Sequence, residues 1–441
     1  MILDNWLAQR AETCPDRVAL MAGGAELTYE QLEAEATRAA RRLAARGVRR
    51  GASVAITLPA GLEYVILIHA LMKLGAILHP LNPGLAPPEL AAEIERVDPA
   101  LVVTESDHAT MSEADLPLLG EHDLEALHCC ILTSGTSGRP RPVGLTYGNH
   151  LWSAVGSAFN LGVDPDDRWL CCLPLYHVAG LEIVMRSVIY GTGAVVHDRF
   201  DIDRVAEAFE ADGVTLASLV TTQLVRLLDA GIDLSRPRAI LVGGGPIPID
   251  VLEEAMGRGA AVVQTYGLTE TASQVTTLAP QDARRKLGSA GRPLLTTHLR
   301  IFDGEICVQG PVVAPGCTDE DGWLHTGDLG RIDDEGFLYV EDRLGDVIVT
   351  GGENVLPAEV EEVLLRHPDV ADAAAVGRSD PEWQEAVEAI VVLRAGADAG
   401  AAELREHCAE SLARYKVPKR ITFASELPRT ASGKLLRRAL R

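Results

Sequence analysis

Positive charge is scarce in this chain: 40 Lys and Arg stand against 63 Asp and Glu among 441 residues, a formal net charge of −23. Polyanionic partners are repelled by such a chain, so neither nucleic acid nor an anionic membrane surface is expected to bind it generally. Cysteine spacing of the metal or disulfide kind is also missing. The eight cysteines include the adjacent pairs Cys129-Cys130 and Cys171-Cys172 but no Cys-x-x-Cys, and they sit in apolar, strand-like contexts. A reduced, cytoplasmic protein is the expectation. Residues 64–81 form the most apolar long stretch, but His69, Lys73 and Pro80 interrupt it. It reads as a buried helix entering a strand and not as a membrane span. No basic segment precedes an apolar one in residues 1–6, so no secretory signal is expected. A Walker A loop is lacking too, because neither residues 133–141 nor Gly433-Lys434-Leu435 provides Gly-Lys-Ser/Thr at a helix start.

What is present is a run of small and hydroxyl residues, Thr133-Ser134-Gly135-Thr136-Ser137-Gly138, followed by Arg139-Pro140-Arg141. Such residues pack no core. Glycine allows a tight turn and close approach of backbone to ligand, and consecutive N–H groups with hydroxyls suit anionic oxygens. Apolar residues 129–132 before it and 143–146 after it predict a hairpin loop between two strands. A flexible linker has the same composition, so the choice rests on the rest of the chain.

The length is enough for two or three domains. Residues 29–46, with Leu32, Ala36, Ala40 and Leu43 on one face after Thr28, predict an amphipathic helix. Strands are expected at 53–58 and 101–104, with a helix at 62–74 between them. Residues 105–128 read as an acidic surface connection. A second alternating block predicts strands near 194–197, 216–220, 239–243 and 261–264, the third ending in Gly243-Gly244-Gly245-Pro246. That is where an open α/β sheet presents its ligand crevice. The fold class expected is α/β: a large N-terminal domain of helix-covered mixed sheets with a small β-rich subdomain from 299 to 340, then a small, mobile C-terminal α+β domain. The domains are placed at 1–343 and 344–441, with a helix at 357–366 in the second.

In order and separation, the run at 133–138, Tyr266-Gly267-Leu268-Thr269-Glu270, Thr326-Gly327-Asp328, Arg343 and Pro428-Arg429-Thr430-Ala431-Ser432-Gly433-Lys434 resemble the adenylate-forming superfamily. That superfamily includes acyl-CoA synthetases, peptide-synthetase adenylation domains and luciferases. More narrowly, Thr146-Tyr147-Gly148-Asn149-His150, Ser153 to Ala158, Pro174-Leu175-Tyr176-His177-Val178-Ala179-Gly180 and Met185-Arg186-Ser187-Val188-Ile189-Tyr190-Gly191 are similar to the o-succinylbenzoate:CoA ligases of menaquinone biosynthesis.

The resemblance implies ATP and CoA as co-substrates, Mg²⁺ as cofactor and an acyl-adenylate intermediate. Thr133, Ser134, Gly135, Thr136, Ser137 and Gly138 would cradle the β- and γ-phosphates. Thr269 would donate to the α-phosphate and Glu270 would hold Mg²⁺, whose shell phosphate oxygens and water complete. Tyr266 with Gly243, Gly244, Gly245 and Pro246 would take adenine, while Asp328 and Arg343 would take the ribose. Lys434 is similar to the lysine that bridges carboxylate and α-phosphate in adenylation only; a domain swing then exposes another face, with Gly351 and Gly352 on the CoA path. Gly345 stands at the hinge position. Arg141 and Pro142 depart from the usual lysine and glycine, which puts the pyrophosphate contacts in doubt.

For the acid, His177 stands in a segment where amino-acid-activating domains place an aspartate. His177 is therefore assigned to the pocket, and Arg186, Ser218 and Ser273 resemble positions that contact the distal carboxylate in succinylbenzoate ligases. A surface ion pair is the alternative for Arg186. A ligase for another aromatic or medium-chain acid is the second reading of the chain, and an inactive nucleotide-binding sensor is the third. From Tyr415 to Arg441 there are eight Lys or Arg against the single acid Glu426, a cluster suited to an anionic ligand or to solvent. Oligomeric state stays open, a homo-oligomer included.

Overall fold

The computed structural model describes all residues except 105–111, 135–139, 246, 351–352, 381–382, 413, 431–432 and 434. Two compact units emerge: Met1–Gly243 with Ile249–Leu299 and Val308–Leu324, and Gly244–Pro248 with Arg300–Cys307 and His325–Arg441.

Helix Tyr29–Ala45 shows how local sequence sets the first unit. Thr28 and Gln31 form a reciprocal capping box at its start, and Leu32, Ala36, Ala40 and Leu43 are all buried. Helix Leu62–Leu74 is buried along nearly its whole surface and stops at Gly75, whose φ of 63° supplies the left-handed cap. Its Lys73 is buried and tied to Glu33.

Two sheets organise this unit. One runs in the order Arg292–Pro293, Thr276–Thr277, Val262–Tyr266, Ala239–Gly243, Leu216–Val220, Arg168–Cys171, Gly193–Val196, Val18–Ala22, Ala25–Thr28. Its six middle strands pair in parallel and its edges antiparallel, the mixed sheet expected. The other places Leu101–Val103, Ser53–Ile56, Ile77–Pro80, Leu127–Ser134 and Pro140–Thr146 side by side, the last two antiparallel as a hairpin.

One expectation fails. The span 105–128 contains the strand Glu121–Asp123, which pairs with Ile2–Asp4 and buries His122 against Trp6 and Tyr147. Three residues reading Glu-His-Asp carry no apolar period, so partners from distant parts of the chain make this strand.

The second unit contains most of a four-stranded sheet, ordered His298–Phe302, Glu305–Gln309, Leu324–Ile332, Leu338–Arg343. It also has a five-stranded sheet in which Arg420–Phe423 joins the strand Gln384–Leu393. Helices Pro357–Leu365 and Ala401–Ser411 bury Val360, Leu364, Leu404 and Cys408 in the same core as Val387 and Val391. Among the described residues no helix is long and apolar enough to cross a membrane.

Burial in the first unit also makes a pH prediction. Desolvation lowers His69 from 6.5 to about 3 and His122 and His79 to about 4. Below about 6.5 the unfolded chain binds protons at these rings while the folded chain does not, so stability falls as pH drops toward about 4. The urea midpoint is expected to decline between about pH 6.5 and 5, where ordinary carboxylates scarcely titrate. A flat midpoint across that interval would contradict these burial effects.

Candidate active site

The hairpin of the hydroxyl-rich run is tied together below its tip. Thr133 and Arg141 are cross-strand partners, and Thr133 Oγ1 donates to the Arg141 carbonyl at 3.1 Å. Gly135, Thr136, Ser137 and Gly138 lie outside the described residues, as does the side chain of Ser134. Arg141, the departure from lysine, has a definite position: its Nη2 lies 3.2 Å from Glu270 Oε1 and 3.7 Å from Cys317 Sγ. The contact is exposed on the arginine side, so it contributes little to stability. It does show that the Glu270 carboxylate faces a cation.

Glu270 belongs to a short 3₁₀ turn, Thr269–Thr271, after the strand Val262–Tyr266. Two non-glycine residues beyond it adopt left-handed backbone, Ala272 at φ 47° and Ser273 at φ 83°. Such conformations cost about 1–3 kcal/mol each and persist where surrounding structure enforces them. Two contacts enforce them here. The chain doubles back so closely that a Cβ on Gly267 would sit 1.8 Å from the Ser273 carbonyl oxygen. Ser153 Oγ donates to the Ala272 carbonyl at 2.7 Å. Gly243 has a comparable role, since its Cβ would meet the Thr265 carbonyl oxygen at 2.7 Å. Gly244 has φ 81°, a Cβ on Gly245 would meet nothing within 4 Å among the described residues, and Pro246 lies outside them. Tyr266 is half-buried beside Thr276 across the strand pair.

Arg186 is not on the surface. It is 2% exposed, on helix Val178–Tyr190. Its Nη2 donates to Ser153 Oγ at 3.0 Å, and its guanidinium lies over Trp169, 5.7 Å from the ring centroid. Trp169 Nε1 in turn donates to Ser218 Oγ at 3.0 Å. Arg186 and Ser218 thus both meet Trp169, while Ser153 links Arg186 to the Ala272 carbonyl, one residue before Ser273. Glu182, one turn before Arg186, is fully buried and accepts from His150 Nδ1 at 2.5 Å.

His177 caps the start of the same helix, about 13 Å along the axis from Arg186 at 1.5 Å per residue. Burial lowers it to about 4, so it is neutral at pH 7, and its Nε2 is buried with no hydrogen-bond partner among the described residues. A buried, unpaired ring nitrogen is a group waiting for a polar partner.

The second unit presents its own arrangement. Asp328 and Arg343 are cross-strand partners, and Arg343 Nε donates to Asp328 Oδ1 at 2.8 Å. The preceding turn is fixed by Glu305 Oε1, which accepts from the Gly327 N–H at 2.7 Å, and by Thr326 Oγ1, which donates to the Ile306 carbonyl at 2.7 Å. Asp342 accepts the backbone N–H of Arg343 and, at the start of helix Pro357–Leu365, that of Ala358. It therefore serves backbone and leaves the Arg343 side chain to Asp328. Gly345 is exposed, and a Cβ there would meet nothing within 4 Å. Gly351, Gly352 and Lys434 lie outside the described residues.

The site assignments from sequence left out Trp169, Ser153, Glu182 and His150, although Ser153 and His150 lie inside motifs that carried the resemblance. Glu182 had one available signal, its i,i+4 spacing to Arg186. Trp169 had none, since only adjacency of the strands Arg168–Cys171 and Leu216–Val220 brings it to Ser218.

The AMP-binding enzyme family matches residues 7–126 and 117–317, and the AMP-binding enzyme C-terminal domain matches residues 359–434. The 2-succinylbenzoate–CoA ligase of Bacillus cereus is 42% identical over 477 aligned residues, covering 100% of this chain and 98% of its own length. A structure of o-succinylbenzoate CoA synthetase (MenE) from Bacillus subtilis in complex with the acyl-adenylate intermediate has a TM-score of 0.95 at 39% identity, covering 100% of this chain and 98% of its own. The same enzyme in complex with ATP and magnesium ion has a TM-score of 0.93 at 39% identity, with 100% of both chains covered. ATP-bound MatB from Rhodopseudomonas palustris has a TM-score of 0.93 at 27% identity over 100% of this chain and 98% of its own.

Proposed function

This chain belongs to the AMP-binding enzyme family, and we infer that it is an AMP-forming acid–thiol ligase that activates o-succinylbenzoate with ATP and transfers the acyl group to CoA. In the first half-reaction a carboxylate oxygen of the acid attacks the α-phosphorus of ATP, and pyrophosphate leaves. In the second the CoA sulfur attacks the acyl carbon, and AMP leaves. The product feeds menaquinone biosynthesis.

The residue roles are those that the resemblance implies, and they set charge against charge. Glu270, whose carboxylate already faces a guanidinium, fits Mg²⁺; the ion, when bound with ATP, would neutralise phosphate oxygens. Thr269 and the 133–138 run hold the phosphates, Tyr266 and the 243–246 glycine turn take adenine, and Asp328 with Arg343 takes the ribose. Orienting two anions for attack is the main service of such a site. Lys434 serves adenylation alone, Gly351 and Gly352 lie on the CoA path, and residues 1–343 and 344–441 act as separate domains with the pivot at Gly345. The reactants are small molecules, and the proposed compartment is the cytoplasm.

The observation that carries the choice of acid is the buried Arg186, joined through Trp169 to Ser218 and through Ser153 to Ala272. A buried cation whose neighbouring carboxylate stands 3.9 Å away without a hydrogen bond is suited to a second carboxylate and wasted on a monoacid. Pyrophosphate release with Mg-ATP across a panel of carboxylic acids, with and without CoA, tests this: o-succinylbenzoate should be turned over best, and thioester should form only with CoA. Equal turnover of a plain fatty or aromatic monoacid would reject the assignment.

Gly345→Pro probes the pivot. Proline fixes φ near −65° and removes the N–H, so one half-reaction is expected to slow more than the other. Wild-type rates in both would place the pivot elsewhere.

A further inference from the structure

Helix Val178–Tyr190 buries two opposite charges one turn apart, Glu182 at 0% and Arg186 at 2% exposure. Buried ions ordinarily close into a hydrogen-bonded pair, because desolvation is costly unless each lone pair and N–H is matched. This pair does not close. Glu182 Oε2 lies 3.9 Å from Arg186 Nη2, and among the described residues neither Glu182 Oε2 nor Arg186 Nε has a hydrogen-bond partner. The carboxylate is turned toward another group: Glu182 Oε1 accepts from His150 Nδ1 at 2.5 Å, and His150 Nε2 meets His128 Nδ1 at 2.9 Å. Both rings are fully buried. Arg186 meanwhile spends one N–H on Ser153 Oγ at 3.0 Å.

We propose that Glu182 is an internal counter-ion for Arg186, held back by His150 so that the guanidinium stays available to the second carboxylate of a dicarboxylic substrate. It rests on the assignment of Arg186 as the anchor for that carboxylate. Without Glu182 the free enzyme would hold an unpaired buried cation. With Glu182 hydrogen-bonded onto Arg186, the incoming carboxylate would have to displace a buried partner of the same charge. The observed separation keeps the coulombic attraction and leaves hydrogen-bonding capacity unspent. Affinity for the diacid is thereby lowered and the free enzyme stabilised.

The experiment measures equilibrium binding of o-succinylbenzoate and of the matched monoacid 4-oxo-4-phenylbutanoate, together with melting temperature, for wild type and variants. Glu182→Gln keeps the size and removes the competing anion. It should lower the melting temperature of the free enzyme, tighten diacid binding by about tenfold and change monoacid binding by less than about twofold. His150→Leu removes the donor that holds Glu182 back, and should weaken diacid binding selectively, the opposite sign. A Glu182→Gln protein that binds both acids more weakly, or an unchanged ratio of the two affinities, overturns the proposal. If Glu182→Gln does not fold, a ratio unmoved or raised by His150→Leu overturns it instead. Arg186→Ala in the same assay separates the two levels. Should it abolish the diacid preference while Glu182→Gln fails to raise it, only the counter-ion role is wrong. Should it leave the preference intact, Arg186 is not the anchor and both fall together.

Discussion

Lys434→Ala should cut acyl-adenylate formation by about 10²–10³-fold, the effect of removing one charge-stabilising contact made in the transition state, ~3–4 kcal/mol. Its place in Ser432-Gly433-Lys434 motivates this. The ammonium would lie between two anions that repel until the new P–O bond forms, so its worth is largest at that moment. The thiolysis step has no such pair to join, because the acyl-adenylate is already made. Thioester formation from supplied acyl-adenylate and CoA is therefore expected to survive. Pyrophosphate exchange and single-turnover thiolysis measured separately decide the matter, and equal losses in both would show that Lys434 is not specific to the first step.

Arg186→Ala should lower kcat/KM for o-succinylbenzoate by about 2–5 kcal/mol, the cost of leaving one member of a buried charge pair alone. The structure places the loss toward the upper end, because Glu182 remains behind, fully buried, to repel the same substrate carboxylate. The monoacid 4-oxo-4-phenylbutanoate, which presents no second charge, is expected to lose far less. Comparing both acids on both proteins gives the coupling directly. A common loss on both acids would count against Arg186 as the anchor of the second carboxylate.

Much of the fold was legible because it is written in local periods and caps. The helix at 62–74 has the bounds expected, and the strands at 216–220 and 239–243 agree as well. In each case an apolar run ends at residues that stop it, such as Gly75 or the 243–245 glycines. The hairpin carrying Thr133 and Arg141 was expected from small residues between two apolar runs, with a flexible linker as the alternative, and the paired strands decide for the hairpin. Chemical type was legible too: Tyr266-Gly267-Leu268-Thr269-Glu270 names its glycine, and a Cβ on Gly267 would sit 1.8 Å from the Ser273 carbonyl oxygen, so no side chain fits there.

What the sequence determined by itself, then, was the order of elements and the kinds of group each motif offers, because both depend on neighbours a few residues apart. Tertiary structure decided which groups distant in the chain meet. His128 on a strand, His150 and Glu182 on two helices, and Arg186 one turn further are separated by up to 58 residues, yet hydrogen bonds or close charge contacts link each to the next. Arg141 reaches Glu270 across 129 positions. Apart from Glu182 and Arg186, whose i,i+4 spacing on one helix is local, no period in the chain encodes such pairs, and only in a water-free interior does a carboxylate 3.9 Å from a guanidinium become a strong interaction.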